Sequence, residues 1–295
     1  MSEATFNTQP PNRQSDSFWE LAEALGKYDP ADLACTAGAL QLLPANASRA
    51  TRLEALSHSI TSLPPKSGPH ISSGKLRQVC EHPSLQALAH AEDPAENQFV
   101  EEFTFFGGSY LVFPGIAQDG EFILTNLCKA IFLDPHESLP HNFRSLSFQI
   151  VSSALHLVDT VARKAGVRRG TAPTSDRYEH IVVPDALTLQ KFKNAVSFTK
   201  EELTSLLSAA KLLPTALDRL TCKAGDINLD DYDVVSGPIL WRPLLDYVDR
   251  VVLLIPGTVV SAVRQALLLL AIESNLQSEL AEAYGRAVCV RRQRK

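Results

Sequence analysis

Between Asn142 and Gly166 the chain places Phe143, Leu146, Ile150, Ala154, Leu157, Val161 and Ala165 three or four residues apart. Steps of that size return to one face of a 3.6-residue helix, so the run predicts a single long core helix, with Asn142 as its cap and Gly166 as its end. An apolar face of that length has to be covered by other elements. The most apolar of these is VVLLIPGTVVSAVRQALLLLAI, which carries Pro256 and Gly257 in one half and Arg264 in the middle. A membrane-spanning helix needs roughly 20 apolar residues. The interrupted run reads instead as a buried strand and then a helix from Thr258, apolar on nearly every side, and no transmembrane segment is expected.

The first ninety or so residues read as helical. Asp16 is placed to cap a helix with Phe18, Leu21, Ala22 and Leu25 on one face, ended by Gly26. Asp29-Pro30 is a cap followed by proline at the first helical position, with Leu33, Ala37 and Leu40 behind it until Pro44. Leu53, Leu56, Ile60 and Leu63 mark a third helix, which Pro64-Pro65 stops, and PPKSGPHISSG follows as a linker or exposed loop before a short helix over Lys75 to Cys80.

From Phe99 the pattern turns to strand. FTFFGGSYLVFPG sets a glycine pair between aromatic and β-branched runs, and Gly107-Gly108 reads as a tight hairpin turn, because favoured two-residue turns need positive φ. A phosphate loop would need G-x-x-x-x-G-K-[ST] opening a helix, and here another strand-like run follows. Downstream come a helix through Leu124, Leu127, Cys128 and Ile131, the polar stretch RRGTAPTSDRYEH, a short buried strand at IVVPD, and a helix from Leu187 to Val196. Thr199 with Glu202 forms a capping box ahead of Leu203, Leu206, Leu207 and Ala210. A second hairpin is expected from strands near 239–247 and 250–255, joined at Val248-Asp249.

Bulk properties narrow the function. With 45% hydrophobic and 21% charged residues, the 295-residue chain is long enough to bury its own core, and a formal charge of −5 gives no global attraction to nucleic acid or an anionic membrane. Cys35, Cys80, Cys128, Cys222 and Cys289 are scattered with no C-x-x-C pair, which suits reduced thiols in the cytoplasm better than a disulfide framework. The amino terminus, MSEATFNTQPPNRQSD, lacks the layout of a secretory signal.

Candidate chemistry is sparse. In GDINLDDYD, Asp226, Asn228 and Asp230 occupy positions 1, 3 and 5 of a calcium loop, but the sixth position is Asp231 where glycine belongs and the twelfth is Gly237 where glutamate belongs. A solvated acidic turn accounts for it more simply. Neither CEHPSLQALAH, with Cys80, His82 and His90, nor DPHESLPH, with His136 and His141, has a standard zinc spacing. Ser109 and Ser236 lack the strand-to-helix elbow of a nucleophile. The acidic pair Glu101-Glu102, and Asp246 and Asp249 beside Arg250, read as hairpin residues, and IPGTVV as strand-to-helix punctuation. The basic end, with Arg291, Arg292, Arg294 and Lys295, is a candidate phosphate contact that a solvated terminus also explains.

The order of EDPAENQFVEEFTFFGGSYLVFPG, FILTNLCKAIFL, SGPILWRPLL and VVLLIPGTVVSAVRQALLLLA resembles the amino-terminal region of larger uncharacterised bacterial proteins, over about Glu92 to Ala271. The resemblance implies no catalytic residue. The expected whole is α+β and helix-rich: a tail over 1–16, a helical region over 17–92, a mixed α/β domain over 93–288 with short β-hairpins near 99–113 and 239–255 packed on long helices, and a basic tail over 289–295. The expected function is a non-catalytic module that binds another protein or domain, with no cofactor. The alternative is a metal-dependent hydrolase or nuclease whose site assembles from Asp226, Asp230, Asp231 and Asp233.

Overall fold

The computed structural model describes residues 13–89, 100–113, 120–169, 180–231 and 237–292. It is helix-rich α+β, with a two-stranded and a four-stranded sheet packed on long helices. At its centre lies the long helix that the apolar spacing predicts, His141–Ala165 (α7), closed by Gly166 at φ +77° with its amide on the carbonyls of Ala162 and Arg163. Its start differs from expectation. Pro140 is the cap residue, no side chain caps the end, and Asn142 lies in the first turn; proline supplies the fixed φ that launches a helix, so the cap hydrogen bond is dispensable.

Four helices precede the strands: Arg13–Leu25 (α1), Pro30–Gln41 (α2), Ala50–Thr61 (α3) and Ser73–Cys80 (α4), followed by the single turn Pro83–Gln86 (α5). Asp16 sits inside α1 and so cannot cap it. Asp29 does cap α2, accepting from the amides of Ala31 and Asp32. These helices share one hydrophobic core with the rest of the chain: α2 packs on Ala186–Val196 (α8) and on strand Arg250–Leu253 (β6).

The first hairpin joins Glu101–Phe105 (β1) to Gly108–Val112 (β2) in antiparallel register. The turn is shifted by one residue from expectation. Phe106 and Gly107 are its central pair, with φ of +45° and +76°, and Gly108 is already in strand opposite Phe105. Two-residue hairpins need positive φ at both central positions. At Phe106 the strain is offset by ring contacts, with centroids 4.8, 5.3 and 5.4 Å from Phe105, Phe132 and Phe148. The hairpin is fixed to α7 by the Leu111 amide, which donates to Asp159 at 2.9 Å.

The second sheet has the order β3-β6-β5-β4, where β3 is Ser197–Thr199, β4 Thr221–Lys223 and β5 Leu244–Tyr247. The hairpin β5-β6 turns at Val248-Asp249 as the sequence predicts, β3 lies antiparallel to β6, and β4 lies parallel to β5. Two expected strand segments are not strands. Pro238–Trp241 is a helical turn (α10), since Gly237-Pro238 presents proline at a first helical position. IVVPD forms no strand, and Val182 meets a side chain in place of a neighbouring strand: its amide donates to Asn46 Oδ1 at 2.8 Å and its carbonyl accepts from Asn46 Nδ2 at 3.0 Å.

The remaining long helices are Gly120–Phe132 (α6), Lys200–Ala209 (α9, with the predicted capping box), Val259–Glu273 (α11) and Gln277–Arg292 (α12). Burial of α11 is one-sided, contrary to expectation. Val259, Val263, Ala266, Leu267 and Leu270 face the core, while Leu268, Leu269 and Ile272 are 39–52% exposed. Pro256–Glu273 is long and apolar enough to cross a membrane, and half of it is buried here against neighbouring helices. The last helix is tied down by Arg286, whose Nε and Nη2 donate to Asp134 at 3.0 and 2.8 Å.

Candidate functional site

Asp32 is the third residue of α2, where an acidic side chain suits the positive end of the helix. Its side chain is only 4% exposed, yet it is charged and fully engaged. The Lys193 ammonium, from α8, and His70 Nδ1, at 2.8 Å, both reach Oδ1, and the Ile71 amide donates to Oδ2 at 3.1 Å. Two distant segments, α8 and the loop carrying His70 and Ile71, thus converge on one carboxylate of α2.

Each arrives for a local reason. On α8 the residues Ala186, Leu189, Gln190, Lys193 and Asn194 fall at helical spacing on one face, which becomes a wall. The opposite wall is the loop PPKSGPHISSG, which crosses α2 in close contact: the Asp29 amide donates to the Pro69 carbonyl at 3.1 Å, the Lys66 amide to the Tyr247 hydroxyl at 3.1 Å, and the Lys66 ammonium to the Gly26 carbonyl. Gly68 permits this approach, since a Cβ there would lie 2.8 Å from the Asp29 nitrogen. The far end is the β5-β6 turn, where Val248 holds φ of +29° and is 72% exposed. A β-branched residue in that region is strained, and such strain tends to concentrate at binding sites.

The enclosed space is a cleft of about 1230 Å³, open to solvent, with Cys35 and Ser197 in its lining. Burial pushes the Cys35 thiol up, with Ser197, Arg250 and Lys193 pulling weakly the other way, so it stays protonated near neutral pH. At Asp32 burial also acts upwards, but the hydrogen bonds from Lys193 and His70, the Lys193 charge and the Ile71 amide outweigh it and hold the carboxyl below the usual range. Asp134 is lowered as well, chiefly by its Arg286 bonds and despite burial.

A carboxyl with a folded pKa below its unfolded value stabilises the fold above that unfolded value, and the contribution is lost as pH falls through the folded pKa. Both Asp32 and Asp134 act in this direction. The protein is therefore expected to lose stability on acidification below about pH 4. Asp134→Asn should flatten that acid limb in a series of urea melts, and an unchanged slope would remove Asp134 from the account.

Of the residues singled out from sequence for chemistry, Asp249 and Arg250 line the cleft, whereas Asp226, Asn228, Asp230 and His82 do not. Asp226 is exposed, Asn228 Oδ1 accepts from the Asp230 amide at 3.2 Å, and Asp230 Oδ1 accepts from the Trp19 indole at 3.3 Å. Their turn thus docks α1 against the chain. Asp231 ends a single turn whose side chain lies outside the described residues, as do Asp233, His90, Ser236, Arg294 and Lys295; Arg291 and Arg292 end α12, with their side chains likewise outside. His82 Nδ1 accepts from the Ser84 amide as the cap of α5, and burial holds the Cys80 thiol up near about 12. Glu102 pairs with Arg169, and Asp249 with Arg250. Among the described residues no group of three His, Cys, Asp or Glu side chains is placed to hold a metal ion.

Sequence reasoning used Asp29 as a cap and saw PPKSGPHISSG as a loop, but His70, Lys193 and Asp32 went unnoticed. No family model matches the chain, and neither a curated protein nor a solved structure matches it.

Proposed function

We propose that the protein is a binding module that grips a segment of another protein or domain in the Asp32 cleft. The observation that carries this reading is the size and lining of the cleft. At about 1230 Å³ it exceeds the roughly 300–1,000 Å³ of ordinary small-molecule sites, which are also mostly apolar. Here charged and polar groups share the walls with Leu189, Ile71 and the exposed Val248. The edge strand β3 contributes Ser197 and Thr199. Binding suits this lining better than covalent catalysis, because its thiol is kept protonated and its carboxylates are engaged within the fold.

The test is purification of the tagged chain from its native cells at near-physiological salt. Gln190 and Asn194 are exposed on the α8 wall, so Gln190→Arg and Asn194→Arg should fill the cleft and abolish a partner that the parent chain holds in fixed ratio. Lys129→Glu, on the exposed side of α6 and outside the cleft, should retain it. Cleft variants that fold normally and keep the partner would sink the proposal.

A further inference from the structure

The turn between α11 and α12 consists of Ser274, Asn275 and Leu276, with neither glycine nor proline. It closes α11 in a Schellman motif: the Leu276 amide donates to the Ala271 carbonyl at 2.8 Å and the Asn275 amide to that of Ile272 at 3.1 Å. Asn275 therefore holds φ of +54°, at the position where glycine is the usual residue. Across this turn the apolar residues keep a single helical phase. Leu269, Ile272, Leu276, Leu280, Ala283 and Ala287 follow one another at steps of three or four, so a helix running straight through would carry them on one face. The folded chain splits that stripe. On α12, which packs chiefly on α6, Leu280 and Ala283 are buried and Ala287 half-buried, whereas Leu269 and Ile272 on α11 are left 42% and 52% exposed. The seat on α6 is completed by Arg286, which donates to Asp134 and, at 3.2 Å, to Ser138.

We infer that this turn is a hinge through which two copies of the chain exchange α12. With Asn275 in the right-handed region, α11 and α12 join into one helix. Each α12 then leaves its own α6 and takes the same seat on the α6 of the second copy. The occupant fits because it is the identical helix, so the burial of Leu280 and Ala283 and the Arg286–Asp134 pair are reproduced between chains. What changes is the hinge, the entropy of association and the uncovered part of the stripe. Left-handed backbone is given up at two non-glycine residues per dimer, and Leu269 and Ile272 of each copy meet their counterparts beside the two-fold. Short hinges under strain invite such exchange. The hinge is separate from the Asp32 cleft, whose lining includes no residue of α6, α11 or α12.

The test is the light-scattering mass of the full chain after size-exclusion chromatography, loaded from low to high micromolar concentration. Asn275 is exposed, so substitutions there leave the seat on α6 untouched. Asn275→Gly favours the turn and Asn275→Ala the continuous helix. The dimer dissociation constant of the alanine variant is expected to lie about a hundredfold below that of the glycine variant, about tenfold for each of the two hinges. Dimers of equal strength in the two variants, or no dimer from Asn275→Ala across that range, overturn the inference. Exchange is separated from simple surface association by Asp134→Arg and Arg286→Asp. Each alone sets like charges together at the seat, whereas an exchanged heterodimer of the two variants matches opposite charges at both seats. Refolded together from urea, they are expected to give mixed dimer well above its statistical share. A statistical mixture, or no mixed dimer, from variants that fold overturns exchange. Should the buried Asp134 position reject arginine, the comparison of the two hinge variants decides by itself.

Discussion

Gly38→Ala should destabilise the protein by about 3 kcal/mol, although helix propensity favours alanine over glycine by about 1 kcal/mol. The reason is geometric. Gly38 lies inside α2, three residues before its end, and a Cβ there would sit 2.4 Å from the Leu253 carbonyl oxygen and 3.3 Å from Val196 Cγ2. The obstacle at Leu253 is backbone, and it belongs to β6, which pairs with β3 on one side and β5 on the other. Relief therefore requires α2 to move away from the sheet, which uncovers buried Leu33, Ala37 and Leu40. Against a typical total stability of 5–15 kcal/mol, a loss of this size lowers the melting temperature by roughly 5–10 °C, and Gly38→Val should do more. Gly285→Ala in α12 is the control. A Cβ there meets nothing within 4 Å, so propensity alone acts and the melt should rise slightly. Equal effects from Gly38→Ala and Gly285→Ala would show that α2 is not seated on β6 as described.

Asp32→Ala carries the second large expected effect, about 3–4 kcal/mol, for an electrostatic reason. Lys193 is 14% exposed at its side chain and Asp32 4%. Removing the carboxylate strands a mostly buried ammonium, leaves the Ile71 amide without its acceptor and releases His70. Breaking one partner of a buried pair is costly, whereas replacing both by neutral groups of similar size is often tolerated. Asp32→Asn with Lys193→Met should therefore recover most of the loss, and a double-mutant cycle in urea gives the coupling directly. A cost under about 1 kcal/mol for Asp32→Ala would mean that the carboxylate is solvated and that the loop 64–72 is held by other means.

What was legible in the sequence is what local physics specifies. The spacing from Phe143 to Ala165 gives α7, Asp29-Pro30 gives the start of α2, and Thr199 with Glu202 gives the capping box of α9, because each depends on residues within a turn or two of one another. Both hairpins were legible for the same reason, and the one-residue error at Phe106 arose because its ring contacts to Phe132 and Phe148 are long-range. Strands β3 and β4, at three residues each, have no signal of their own. They exist because β6 and β5 offer edges to pair with.

Composition and periodicity determined the helix-rich class, the positions of most helices and the ordinary charge, since these follow from summed or near-neighbour properties. The tertiary structure alone decided the cleft. Asp32 and Lys193 lie 161 residues apart, and nothing near either marks it as one half of a buried ion pair. The pair forms only when α2 docks against α8 and the loop carrying His70 is laid over both. Charge pairing in a low-dielectric site depends on distance in space, which local sequence patterns do not encode.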